Sequence, residues 1–125
     1  MKNLEQRRAA HAWPRALDLT PAEVNGLPPL IVNNGLLATA AFAAVKDDED
    51  RPKRPGMKRA FDAVADHLAE QGLLAADKGT VEGLLQDLPA RQDSAPLQRA
   101  TTEALAYLNY LKRFARTEPK STKEV

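Results

Sequence analysis

The chain has no cysteine among its 125 residues. That excludes disulfide frameworks, thiolate metal sites and zinc fingers, and makes the reducing cytoplasm the expected compartment. No apolar run approaches the ~18 residues of a membrane span, and the opening MKNLEQRR is charged where a secretory leader would be apolar, so neither anchoring nor targeting is expected. A phosphate-cradling glycine loop, a Gly-x-Ser-x-Gly elbow and a dinucleotide fingerprint are all missing. Histidine is scarce: His11 and His67 have no partner at metal-ligand spacing, and both are read as solvated residues on polar helix faces. No catalytic residue, metal or cofactor is therefore expected, and the chain is read as a non-enzyme. A net charge of +1 and a pI near 8.0 also fall short of a self-sufficient nucleic-acid-binding domain, for which pI above about 9 is usual.

What is present is an ordinary globular composition, 43% hydrophobic and 28% charged, in a length suited to one core. Its apolar spacing is helical throughout. Asn3 with Gln6 forms a capping-box variant, and Ala9, Ala12, Trp13, Ala16 and Leu17 share one face, predicting a first helix to about Leu19 that kinks at Pro14. Thr20-Pro21-Ala22-Glu23 supplies the signals for a short helical turn. From Pro29 to Val45 the pattern Leu30, Ile31, Leu37, Ala38, Ala41, Phe42 predicts one long helix, apolar nearly all round, with Asn34 as a buried polar group within it. KDDEDRPKRP, residues 46–55, reads as a solvated loop. Met57 to Gly72 and Val81 to Leu88 give two more helices, and from Ser94 the stripe Leu97, Ala100, Ala104, Leu105, Leu108, Leu111, Ala115 gives the longest. The expected fold is all-α: a single compact bundle of five to six helices over residues 1–118, with 119–125 a frayed tail.

Charge is unevenly spread. Residues 62–88 carry six acids against Lys78 alone, and Asp62, Asp66 and Glu70 recur every four residues on one helix as a candidate interface to a basic partner. On the last helix Arg99, Thr102, Asn109, Lys112, Arg113 and Arg116 fall opposite the leucines, a basic strip suited to phosphates. On the first, Arg7, Arg8, His11 and Arg15 share the side opposite Trp13. Arg7, Arg8, Arg15, Arg99, Lys112, Arg113 and Arg116 are thus the candidate nucleic-acid contacts, while Val32 and Leu36 on the apolar second helix join the acids as candidate partner-interface residues. Tyr107, Tyr110 and Phe114, beside the leucine seam, are read as core or interface side chains.

Three segments carry a resemblance. Leu4-Glu5-Gln6-Arg7-Arg8-Ala9, then Gly26-Leu27-Pro28-Pro29-Leu30-Ile31 with Asn34-Gly35-Leu36 and Ala41-Phe42, and finally Thr102 to Leu108 with Leu111-Lys112-Arg113-Phe114-Ala115, resemble the small-subunit family of the type III-B CRISPR effector, the Cmr module's compact helical protein. The resemblance implies a noncatalytic subunit of an RNA-guided RNA-silencing ribonucleoprotein, stacked with further copies of itself as a minor filament. It also implies backbone and large Cmr-type subunits as partners, and target RNA held against guide RNA without base reading. Two readings stand beside it: a free-standing helical adaptor that binds protein and no nucleic acid, and a small duplex-binding regulator.

Overall fold

The computed structural model describes residues 1–117, the side chains of 116 and 117 excepted. Its elements are α1 (Leu4–Ala16), α2 (Pro21–Asn25), α3 (Leu27–Asn34), α4 (Leu36–Ala43), α5 (Pro55–Glu70), α6 (Val81–Asp87) with a 3₁₀ turn Leu88–Ala90, and α7 (Ala95–Thr117). Among the described residues there is no strand, and one isolated bridge between Lys46 and Pro52 closes the charged loop. The fold is the expected all-α bundle of six helices when α3 and α4 are counted as two halves of one interrupted helix.

Local chemistry sets the boundaries. Both expected capping boxes form: Asn3 Oδ1 accepts from Gln6 N at 2.8 Å while Gln6 Oε1 accepts from Asn3 N at 2.9 Å, and Thr20 and Glu23 reciprocate in the same way. Gly72, at φ 76°, ends α5, and the Leu73 N–H reaches back to the Leu68 carbonyl at 2.8 Å. Asp62 Oδ1 accepts the Val81 N–H at 2.8 Å, so an acid on α5 satisfies the first donor of α6. Helix α1 continues through Pro14 to Ala16, three residues short of the expected end.

The long apolar helix expected from Pro29 to Val45 is corrected: Gly35 at φ 95° and ψ 159° divides it. That conformation is closed to side chains with a Cβ, so periodicity on either side of the glycine is two helices in series rather than one. The break also turns Asn34 outward, where it is exposed and not the buried polar group predicted.

Helix α7, 23 residues long, packs against α1, α2, α3 and α5 and supplies the centre of the core. Its predicted stripe is buried at Ala100, Ala104, Leu108, Leu111 and Ala115, joined by Phe61, Val64 and Leu68 from α5, Leu27 and Ile31 from α3, Leu36 from α4 and Leu84 from α6. Each large aliphatic side chain so buried contributes about 1.5–3 kcal/mol of transfer free energy. Among the described residues, no helix is long and apolar enough to cross a membrane.

Candidate nucleic-acid interface and the polar core behind it

The first helix is rolled relative to the sequence expectation. Its buried residues are His11, Ala12 and Ala16, whereas Trp13 is 44% exposed and Leu17 is exposed. Trp13 instead lies edge-on to Phe114 of α7, with ring centroids 5.0 Å apart. The reason is a set of polar partners that α5 and α7 aim at α1.

His11 and His67, expected on the surface, are both buried; this is the clearest correction of the sequence reading. His11 Nδ1 lies 2.6 Å from the Tyr107 hydroxyl and Nε2 lies 2.7 Å from Asp66 Oδ2. A carboxylate only accepts, so Nε2 carries the proton and Nδ1 receives the Tyr107 O–H. The neutral ring satisfies every donor, whereas an imidazolium would strand the phenolic proton. Burial lowers the proton affinity of His11, the Asp66 hydrogen bond opposes this, and the Arg15 charge adds to the lowering; the net result lies below the ordinary value. Burial likewise raises the Tyr107 phenol and keeps it a donor.

His67 stacks on Tyr107, with centroids 4.4 Å apart and planes 12° from parallel, and meets Glu103 Oε2 through Nε2 at 2.7 Å. Glu103 accepts a bidentate pair from Arg8, both contacts at 2.7 Å. Burial pushes the Glu103 carboxyl up, but Arg8 and His67 more than offset it and hold it below the usual range. His67 Nδ1 is buried without a partner among the described residues.

This core uses part of the predicted basic strip. Arg8 is committed to Glu103, and Arg15 donates to Asp66 at 3.1 Å and to the His11 carbonyl at 2.9 Å. Arg7 is exposed and, among the described residues, donates to the neutral Gln71 at 3.3 Å. On α7 the arrangement differs. Arg99, Thr102, Asn109 and Arg113 are exposed, Lys112 is half-buried on the shoulder, and the described part of α7 has one acid, Glu103, turned inward. Among the described residues Arg99 and Lys112 form no ion pair. The Arg116 side chain lies outside the described residues, as do residues 119–125.

The candidate partner residues also separate. Val32 is 70% exposed, but Leu36, expected beside it, is buried in the chain's own core because the Gly35 break turns α4 inward. Asp62 bonds Lys58 and the α6 N-terminus, Asp66 bonds His11 and Arg15, and Glu70 remains exposed. His11, Asp66 and Glu70 bring ligand-type atoms within 4.8 Å of one another. Asp66 Oδ2 is already shared by His11 and Arg15, and that guanidinium supplies the positive charge a cation would otherwise bring. Neither nitrogen of His11 is left for a substrate, so the cluster is arranged to hold α1, α5 and α7 together rather than to present a reactive atom.

Sequence reasoning missed this network although a signal existed. His67 falls three residues after Val64 and seven after Ala60, inside the buried stripe of α5.

Comparison with known proteins gives one result. No curated protein and no solved structure matches the chain. The profile of the family described as CRISPR-associated protein (Cas_Cmr5) matches residues 4–118, nearly the whole chain and all three resembling segments. With that match over nearly its whole length, the chain belongs to the CRISPR-associated Cas_Cmr5 family, the small subunits of type III-B systems.

Proposed function

We propose that this chain is a noncatalytic small subunit of a cytoplasmic type III-B RNA-guided ribonucleoprotein, where copies of it line the minor filament and hold target RNA against the guide through phosphate contacts. Residues 1–118 act as one helical domain in that role. The observation that carries the reading is the outer face of α7, which presents Arg99, Lys112 and Arg113 while Glu103 is drawn inside, and on which Arg99 and Lys112 form no ion pair among the described residues. Arg116 extends this strip in sequence, and Arg7 supplies a further exposed cation on α1. Arg8 and Arg15 drop out of the contact set because their charges are already balanced internally.

Cations on one helix face neutralise phosphates and release counterions without reading bases, which suits an assembly in which pairing with the guide supplies specificity. The modest net charge of +1 fits a protein that meets RNA only inside a larger complex. Purification of the tagged chain from its native host, with sequencing of the bound RNA and mass spectrometry of bound proteins, tests this. Guide RNA recovered together with large and backbone Cmr-type subunits is the expected result. Stoichiometric protein without RNA would replace the reading with that of a helical adaptor.

A further inference from the structure

The surface of α3 and α4 holds a feature that RNA contact does not use. Leu30, Asn34, Ala38, Thr39 and Phe42 line an open groove of about 420 Å³. Phe42 is 41% exposed and Val32 stands out nearby in the sequence on α3. No charged residue lies between Glu23 and Lys46. Arg54 is half-buried against the lining residue Phe42, with its guanidinium carbon 3.7 Å above the ring centroid, and donates to the Phe42 carbonyl at 3.2 Å.

Arg54 has no carboxylate partner among the described residues, although four acids lie within seven residues of it. Those acids are largely engaged elsewhere: Asp47 and Glu49 with Arg51, and Asp50 with Lys46. A partly desolvated guanidinium beside an uncharged groove is matched by a ligand that brings apolar side chains and one carboxylate.

We infer that this groove docks an apolar segment of a different protein subunit of the same ribonucleoprotein, with an Asp or Glu of that segment pairing with Arg54. The inference rests on the reading of the chain as an effector subunit. A second copy of the chain fits less well. Among the described residues, its acids directly adjacent in sequence to exposed large apolar side chains are Glu5, bonded to Tyr110, and Asp18, which shares a depression with Arg15 and Arg59. RNA fits less well still, because Arg54 already covers one face of the Phe42 ring on which a base would stack.

The test places a photoreactive benzophenone side chain at Asn34 in the tagged full chain, purifies the assembled complex, irradiates it and sequences the cross-linked products. The expected product joins this chain to a peptide of another subunit that has an acid within about one helical turn of its apolar side chains. Arg54→Gln, which keeps the stem over Phe42, should cut the cross-link about tenfold at unchanged melting temperature, and reversing the partner's acid to lysine in the wild-type background should do the same. Cross-links confined to RNA or to a second copy, or none in a complex that has assembled with guide RNA, would overturn the inference and leave the effector reading intact. Failure to recover any complex containing guide RNA would overturn both.

Discussion

Glu103 lies between the Arg8 guanidinium and the His67 imidazole with 7% of its surface exposed, so three helices meet at one carboxylate. Removing one member of such a buried pair leaves the other uncompensated. Glu103→Ala should therefore cost about 3 kcal/mol in urea unfolding, whereas Arg51→Ala on the exposed loop should cost under about 1 kcal/mol. Equal losses would show that the core pair is energetically ordinary. His11 gives the bundle a pH dependence with a defined sign. Its folded-state proton affinity lies below the ordinary value of 6.5, so the unfolded chain binds the proton first as pH falls. The stability that neutral His11 contributes is present above about pH 6.5 and declines as pH drops through and below it. Glu103, also lowered in the folded state, adds a second loss below its ordinary 4.5. Unfolding free energy measured from about pH 7.5 to about pH 5.5 should fall, and His11→Gln should flatten the profile. A flat wild-type profile would contradict the preference of the folded state for the neutral His11 ring.

These residues were the least legible part of the sequence. Polar residues on a helix read as solvated unless their partners are known, and here the partners lie 36 to 96 positions away on other helices. With His11 assigned outward, Trp13 had to be assigned inward, and the roll of α1 followed from that single exchange.

Whole helices were more legible because capping and period are local. Both capping boxes, the Gly72 terminus, the short α6 and the leucine stripe of α7 form where the sequence placed them. Besides the early end of α1, the exception was the α3–α4 break. Periodicity continued across Gly35, and only its backbone angle, which composition does not reveal, separates the two pieces. Gly35→Ala forces a side chain into a region essentially confined to glycine and should cost about 1–3 kcal/mol, although nothing lies within 4 Å of where its Cβ would sit. Thermal melting of that variant is the check, and an unchanged midpoint would show that the break tolerates a Cβ. Leu108→Asp places an unpaired charge at the fully buried centre of α7 and should unfold the bundle in circular dichroism; retained cooperative melting would mean the seam is misassigned.

For the whole molecule, family membership followed from short segments near both ends and in α3–α4, and the matched span of residues 4–118 includes them all. The structure adds a division of labour among the cations. Arg8 and Arg15 serve the core, Arg54 covers Phe42, and on α7 Arg99 and Lys112 form no ion pair among the described residues. Local sequence could place arginines on a face but could not show which were already paired, since pairing depends on helix-to-helix distances.

The most direct test of that division is target-RNA binding by the assembled complex with Arg99→Glu and Lys112→Glu in this subunit, compared with Arg8→Gln, across a salt series. The account predicts that the α7 double variant weakens binding and lowers the slope of log affinity against log salt by about 2, while Arg8→Gln lowers stability and leaves that slope unchanged. An unaltered slope in the α7 variant, or an equal drop in both, would contradict the assignment of RNA contact to the outer face of α7.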